Sequence, residues 1–160
     1  MNTPALPVLA VHHVSIAVPD LDAAVAWYAD IFGLEVEQRM DASSFGLRGA
    51  FLRRPGVRLE LWQSLALSAD TEARRAPRMD LKVMGTKHLA FVVPDLPAAM
   101  AALLQRGVEV LMVQRARTEP MRPDPEPLAP GKPRLFAAFI ADPFGTAIEV
   151  IDGAQVGDGV

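Results

Sequence analysis

Four residues of this chain could bind a metal ion, and they stand at equivalent places in two similar stretches. His13 and His88 each open a strand-like run of the same pattern, while Glu60 and Glu149 each lie in the run that closes its copy. Two imidazoles and two carboxylates suit Zn, Ni, Co, Mn or Fe(II). A single His or Glu on a strand is usually an ordinary surface residue. The repetition is what indicates one site built from two His and two Glu.

The repeat is visible in the letters of the sequence. The stretch "HHVSIAVPDL" occupies residues 12–21, "KHLAFVVPDL" occupies 87–96, and each is followed after one residue by Ala-Ala. Further along, "GLEVE" at 33–37 matches "GVEVL" at 107–111. Two copies of this length indicate a duplicated supersecondary unit, since a solenoid needs at least three.

Each copy is predicted to form a strand, a helix and three further strands. Alternation of apolar with small or polar residues, beginning at each His, predicts a strand, and apolar residues at helical spacing from Leu21 and Leu96 predict the helices. Asp20 and Asp95 are the expected helix N-caps, and a glycine is expected to end each helix. The further strands are predicted over 34–39, 47–53 and 57–63, and over 108–115, 134–141 and 146–151.

The same alternation predicts which side chains share a face of the sheet. The apolar neighbours of Glu60 and Glu149 form one face, which we expect to pack against the helices. Both carboxylates and both histidines then point to the opposite, concave face. A carboxylate between two apolar neighbours needs a partner, and a metal ion is one way to supply it.

Composition limits the class of protein. A chain of 160 residues with 51% apolar and 22% charged residues is typical of a single globular domain. The net charge of −3 gives no broad basic face, which argues against nucleic acid as a partner. The sequence has no apolar run of about 18 residues and no basic secretory start, so we expect no membrane span and a cytoplasmic location. The absence of cysteine excludes disulfides and thiolate metal sites.

Two stretches interrupt the repeat. Residues 64–83 are polar and join the copies, so the first module is expected over about 8–63 and the second over about 84–152. Residues 119–133 hold six prolines and cannot form a central strand or a helix interior. This proline-rich insertion lies inside the second copy, between strands.

The chain resembles members of the vicinal oxygen chelate superfamily, also called the glyoxalase/bleomycin-resistance/extradiol dioxygenase group. The residues that carry the resemblance are "HHVSIAVPDLDAAVAWYADIFGLEV", "RLELW", "KHLAFVVPDLPAAMAALLQRGVEV" and "DPFGTAIEVID". It implies an α+β glyoxalase-like fold of two tandem βαβββ modules that form a cupped mixed β-sheet with one divalent metal ion in the cup. The superfamily's ligand positions fall on His13, Glu60, His88 and Glu149. Modules pair within a chain or across a dimer, and we expect a homodimer.

The resemblance also narrows the chemistry. In glyoxalase-like and epimerase-like members, a Glu beside the metal removes a proton next to a carbonyl group while the metal holds the enolate. A second carboxylate ligand, here Glu60, is typical of those members. We therefore expect a metal-dependent lyase or isomerase that acts on a small carbonyl compound, with Glu60 and Glu149 as the catalytic residues.

Two other classes stay open. An extradiol-type dioxygenase with Fe(II) usually has further His and Tyr residues in its pocket, but His12 and Tyr28 are predicted to point away from the cup. A metal-free, ligand-sequestering protein of the bleomycin-resistance kind usually lacks the ligand residues, which are intact here. The chain also departs from two enzyme patterns. Ala17 stands where glutathione-dependent glyoxalases have Arg, and Glu60 stands where methylmalonyl-CoA epimerases commonly have Gln.

Substrate recognition is expected to depend on Arg58 and Trp62, which lie beside the first Glu ligand on the cup face. A cation and an aromatic ring suit a small carbonyl compound with an anionic or planar part. A solvated strand charge and a rim hydrophobe explain them equally well. The insertion is expected to be a flap at the mouth of the cup, with Met121, Leu128 or Arg134 near the substrate, or else a surface loop.

Overall fold

The computed structural model describes residues 10–64, 66–67 and 86–156, so most of the predicted linker lies outside the described residues. The chain divides into two compact units, Met1–Ser68 and Ala69–Val160. Among the described residues, each unit shows one four-stranded sheet and one α-helix, which confirms the predicted α+β architecture. No helix in the described ranges is long and apolar enough to cross a membrane.

The first unit has the predicted βαβββ order. Its sheet has the strand order β1-β4-β3-β2, with β1 parallel to β4 and the other neighbours antiparallel. A short 3-10 turn, Ser43–Phe45, joins the second and third strands. The elements are β1 Val14–Val18, α1 Leu21–Phe32, β2 Glu35–Ala42, β3 Leu47–Arg54 and β4 Val57–Ser64.

The second unit repeats this topology with the order β5-β8-β7-β6 and β5 parallel to β8. Strand β7 starts at Ala137, later than the predicted start at 134, and the carbonyl of Leu135 accepts a hydrogen bond of 2.8 Å from the Gln155 side chain. The elements are β5 Leu89–Val93, α2 Leu96–Gln105, β6 Val110–Gln114, β7 Ala137–Ala141 and β8 Ala147–Asp152, followed by the 3-10 turn Gly153–Gln155.

Both helices begin at their expected caps. The Asp20 carboxylate accepts a hydrogen bond from the backbone N–H of Ala23, and Asp95 accepts one from Ala98, each at 3.0 Å. These bonds satisfy N–H groups that have no partner inside the helix. Gly33 ends α1 in the left-handed conformation, with φ of 62°.

Each helix covers one face of its own sheet. In the first unit the helix residues Leu21, Ala24, Val25 and Tyr28 are buried, together with Leu52, Leu59 and Leu61 of the sheet. In the second unit Leu96, Met100 and Leu103 are buried, together with Ile140, Ile148 and Val150. The face of each sheet opposite its helix is called the site face below. Since side chains alternate along a strand, the residues between these buried ones lie on the site face.

Candidate active site

The four predicted metal ligands form one His–Glu pair in each unit. His13 Nε2 lies 3.4 Å from Glu60 Oε2, and His88 Nε2 lies 3.1 Å from Glu149 Oε2. Each His immediately precedes the strand that pairs in parallel with the Glu-bearing strand. Each unit therefore brings its own two predicted ligands together on its site face.

The distance inside each pair fits two neighbouring ligands of one ion. Nitrogen and oxygen ligands bind Zn at about 2.0–2.2 Å, so adjacent ligands of a tetrahedral or octahedral ion lie roughly 3.0–3.5 Å apart. The Glu60 and Glu149 side chains are only 15% and 17% exposed, which favours a cationic partner for each carboxylate. Within the described ranges no group of three or more His, Asp or Glu side chains is gathered. The four-residue site thus remains a prediction, of which each unit supplies half.

A phenylalanine lies opposite each Glu, and neither of them is among the site residues predicted from the sequence. Phe51 on β3 pairs with Glu60, and Phe139 on β7 pairs with Glu149. Residues directly opposite each other on antiparallel strands share a face, so both rings lie on the site face. The signal was present in the sequence as a further element of the repeat, "AFL" at 50–52 and "AFI" at 138–140.

Both phenylalanine rings contact the histidine of their own unit edge-on. The Phe51 and His13 ring centroids lie 5.4 Å apart with an interplanar angle of 72°. The Phe139 and His88 centroids lie 4.9 Å apart at 87°. T-shaped contacts of this kind are favourable between aromatic rings and limit the orientations of the imidazole. Each unit thus repeats a three-residue arrangement of His, Glu and Phe.

His12 lies beside His13, so the prediction that it points away from the site is wrong. The Nδ1 atoms of the two imidazoles are 2.7 Å apart, and His12 also contacts the guanidinium group of Arg58. Alternation sets the direction of side chains only inside a strand, and β1 begins at Val14. Tyr28 is fully buried on the inner face of α1, away from the site face as predicted.

Arg58 lies on the site face next to Glu60, in the predicted position. Its Cζ lies 4.2 Å from the centroid of the Phe51 ring, and its Nε donates a hydrogen bond of 2.7 Å to Glu37. A guanidinium group held by a ring face and a carboxylate is fixed in direction. The first unit therefore has an oriented cation beside its His–Glu pair.

Trp62 also lies on the site face, where its indole covers Gly49 on the neighbouring strand. A Cβ atom added at Gly49 would lie 2.7 Å from Cε3 of Trp62 and 2.9 Å from Cε of Met40. Only glycine leaves the space that this indole occupies. The role of Arg58 and Trp62 in substrate binding stays a prediction.

Arg134 lies away from the His–Glu pair of its unit. Its Nε donates a hydrogen bond of 2.7 Å to Asp152, which is fully buried on the helix-facing side of β8 and therefore opposite in direction to Glu149. Burial alone would raise the pKa of Asp152, but hydrogen bonds from Arg134 and Gln155 hold that pKa below its usual value. These contacts give Arg134 a structural partner and no support for a place near the substrate.

The proline-rich insertion is fixed by a cluster of charges. Arg115 donates to the carboxylate of Asp124 at 2.8 Å and to the carbonyl of Pro127 at 3.0 Å, and it also contacts the carbonyl of Pro133. Lys132 donates to the same carboxylate at 2.6 Å. The hydrogen bonds from Lys132 and Arg115 lower the pKa of Asp124 to about 2.

Of the three residues expected near the substrate in and just after the insertion, Met121 contacts the site face. It packs against the cluster of Met112, Phe139 and Ala147. Leu128 is exposed. Met121 is therefore the insertion residue through which a flap would contact the site face.

Comparison with known proteins gives relatives that are epimerases and glyoxalases. The sequence profile of the Glyoxalase/Bleomycin resistance protein/Dioxygenase superfamily matches residues 12–122. The chain is 32% identical to the ethylmalonyl-CoA/methylmalonyl-CoA epimerase of Cereibacter sphaeroides, over 78% of this chain and 84% of that protein. It is 31% identical to a 2-epi-5-epi-valiolone epimerase of an Actinomyces species, over 90% and 79%. The trypanothione-dependent glyoxalase I of Leishmania major shares the fold, with a TM-score of 0.60 at 21% identity over 88% and 84%.

Proposed function

Because this chain belongs to the glyoxalase/bleomycin resistance/dioxygenase superfamily, we propose that it is a divalent-metal-dependent epimerase acting at a carbon next to a carbonyl group. The observation that carries this proposal is the repeated arrangement of His, Glu and Phe on the site face of both units. The epimerases among its relatives support the same class of reaction.

In this proposal His13, Glu60, His88 and Glu149 hold one ion of Zn, Ni, Co, Mn or Fe. The spacing inside each His–Glu pair supports this ligand set, and the two carboxylates would balance the charge of a divalent cation. When bound, such an ion withdraws electron density from a substrate carbonyl group and makes the neighbouring C–H more acidic.

Glu60 and Glu149 are the groups proposed to move the proton. A carboxylate has two oxygens, so one can face an ion while the other accepts a proton. The two glutamates stand at equivalent places in their units and can serve opposite faces of one carbon. One removes the proton and the other returns a proton to the opposite face, which inverts that carbon. Phe51 and Phe139 are apolar neighbours that keep water away from the carboxylates.

Arg58 is the residue proposed to bind an anionic part of the substrate. It is a fixed cation beside the first His–Glu pair, where its ring contact and its bond to Glu37 orient the guanidinium group. The 2-alkylmalonyl thioesters named for the first relative carry a carboxylate next to the carbon that inverts, which matches a cation at this place. Trp62 supplies a flat apolar surface for the rest of the molecule.

Solvent exchange tests the proposed function. Metal-loaded protein is incubated in D₂O with methylmalonyl-CoA, ethylmalonyl-CoA or 2-epi-5-epi-valiolone, and the proton next to the carbonyl group is followed by NMR. We expect that proton to be lost and the opposite epimer to form with at least one of the three compounds, and chelator-treated protein serves as the control. Dioxygen consumption with a catechol and Fe(II), without any proton exchange, would contradict the proposal and favour a dioxygenase.

We also propose that the protein works as a homodimer. Each four-stranded sheet has edge strands, and β2 carries an exposed Val36 at the first sheet's edge. Edges of this kind are commonly covered by a partner. Light scattering at micromolar concentration should give twice the mass of the chain, and a monomeric mass would contradict the proposal.

A further inference from the structure

A methionine of the proline-rich insertion packs against an apolar cluster on the site face of the second unit. Met121 packs against the cluster of Met112, Phe139 and Ala147, and within this cluster Phe139 is the residue directly opposite Glu149. Phe139 is only 5% exposed, whereas the corresponding Phe51 of the first unit is half-buried. The insertion therefore adds an apolar cover in one unit that the other unit does not have in its sequence.

Hydrogen bonds to β6 fix the position of Met121. The next residue, Arg122, pairs with Val113 through two backbone hydrogen bonds of 2.8 and 2.9 Å. On the other side, the Gln114 side chain donates to the carbonyl of Glu119 at 2.6 Å. Because the chain is anchored to β6 both before and after Met121, this side chain has a defined place on the sheet.

The rest of the insertion is also held in one arrangement. Arg115 precedes the insertion, yet it reaches Asp124 in the middle and Pro133 at the end. Lys132 adds a second cation on the same carboxylate. Six prolines reduce the conformational freedom that the segment loses on ordering. These features describe a fixed wall better than a lid that opens and closes.

We infer that the insertion is a selectivity wall, in which Met121 sets the size of the apolar substituent that the substrate carries on its reacting carbon. This inference rests on the proposed function. The wall offers only hydrocarbon and sulfur groups, from Met121, Met112, Leu111 and Phe139. A surface of this kind can contact an alkyl group favourably, but it offers no polar partner to a charged group. A wall that limits an alkyl group discriminates by about 10–200-fold for each methylene.

Binding of a homologous series tests the wall. Isothermal titration of the metal-loaded protein measures Kd for 2-methyl-, 2-ethyl- and 2-butylmalonyl-CoA with the wild type, Met121→Ala and Leu128→Ala. We expect the wild type to bind the butyl compound more weakly than the methyl compound. Met121→Ala should improve the butyl-to-methyl affinity ratio by about tenfold or more. Leu128→Ala changes an exposed side chain of the same insertion and should keep the wild-type ratio.

Two outcomes would overturn the inference. One is an affinity ratio that is the same in the wild type and in both variants, and the other is the absence of binding by every member of the series. Proton exchange of the same compounds in D₂O is recorded separately and tests the proposed function. A ratio that shifts only in Met121→Ala without any exchange supports the wall and contradicts the epimerase. Exchange with an unshifted ratio supports the epimerase and contradicts the wall.

Discussion

In the first unit the strand that carries Glu60 places a cation and an indole, Arg58 and Trp62, on either side of this carboxylate. In the second unit the same two flanking positions hold Ala147 and Ile151. The His, the Glu and the opposite Phe are the same in both units. The two copies therefore share the proposed chemical groups but differ in the residues around them, which include a charged side chain in the first unit and are apolar in the second.

A second difference lies on the helix-facing side of the sheets. Gln63 pairs with Val18 at the end of β4, and its Oε1 accepts a hydrogen bond of 2.9 Å from the backbone N–H of Leu21. Asp152 holds the same register against Val93 and is paired with Arg134 instead. The same register position thus holds an amide that accepts from the start of the helix in one unit, and a buried carboxylate that is paired with an arginine in the other.

Removal of either site histidine, His13 or His88, is expected to have the largest effect, which is a loss of metal binding. If both pairs serve one ion, His13→Ala and His88→Ala should each lower metal affinity by more than the roughly 10–100-fold typical of a lost outer-shell partner. Metal content by mass spectrometry should fall well below one ion per chain, while circular dichroism shows a folded protein. His12→Ala is the matched control and should keep the metal. Loss of metal in only one of the two site variants would show that the units are not equivalent.

The two glutamates offer the next largest effect. Glu60→Gln and Glu149→Gln should each lower turnover by about 10²–10⁴-fold, the usual worth of a general base. An amide oxygen can still bind an ion, so part of the metal should remain. If each Glu serves one face of the carbon, each variant should exchange the proton of only one epimer in D₂O. Equal exchange of both epimers by both variants would contradict the assignment of one face to each unit.

The sequence was sufficient for the parts of the fold that follow from local chemistry. Asp20 and Asp95 cap the helices because an aspartate before a helical pattern has a nearby N–H to accept from. Alternation placed Glu60 and Glu149 on the correct face. The predicted direction of the His12 side chain was wrong because His12 precedes the strand, and alternation does not determine side-chain direction outside a strand. Contacts between residues far apart in the sequence could not be predicted, since no local pattern shows that Arg134 pairs with Asp152.

The same limit applies to the insertion. Its prolines excluded a strand or a helix interior, which was correct, but proline content does not determine which side chain meets the sheet. Met121 packs against the cluster of Met112, Phe139 and Ala147 because the next residue, Arg122, pairs with Val113. Such a bridge depends on the tertiary position of β6. The repeated Phe, in contrast, could have been found by extending the alignment of the two copies.

The cross-strand pair Gly49 and Trp62 of the first unit corresponds to Ala137 and Ile151 of the second, and exchanging the two pairs is expected to change the free energy of unfolding. Gly49→Ala places a Cβ atom 2.7 Å from the Trp62 indole and should cost about 1–3 kcal/mol of unfolding free energy, as overpacking usually does. The second unit has Ala137 opposite Ile151 at this register. The double variant Gly49→Ala/Trp62→Ile copies that pair and should recover most of the loss in urea denaturation. A double variant less stable than Gly49→Ala would show that the two site faces are not interchangeable.

The smallest expected effect is an acid-dependent loosening of the insertion, which has no counterpart in the first unit. The pKa of Asp124 is lowered to about 2 because Lys132 and Arg115 donate hydrogen bonds to its carboxylate. A pKa below the unfolded value means that this carboxylate stabilises the fold fully above about pH 4, and that its contribution is lost as the pH falls towards 2. Amide hydrogen exchange over 116–133, corrected for intrinsic rates, should therefore accelerate a few-fold across that window in the wild type.

Asp124→Asn is the control for this acid effect, because its amide cannot titrate. The variant should show faster exchange over 116–133 already at pH 6 and no additional change in that segment between pH 4 and 2. Peptides from Val57–Ser64 of β4 serve as the internal reference for general acid unfolding. If the insertion and the reference strand lose protection in parallel in both proteins, the charge cluster does not hold the insertion. Loss confined to the wild-type insertion would show that Asp124 ties the wall to the second unit, the element that distinguishes it from the first.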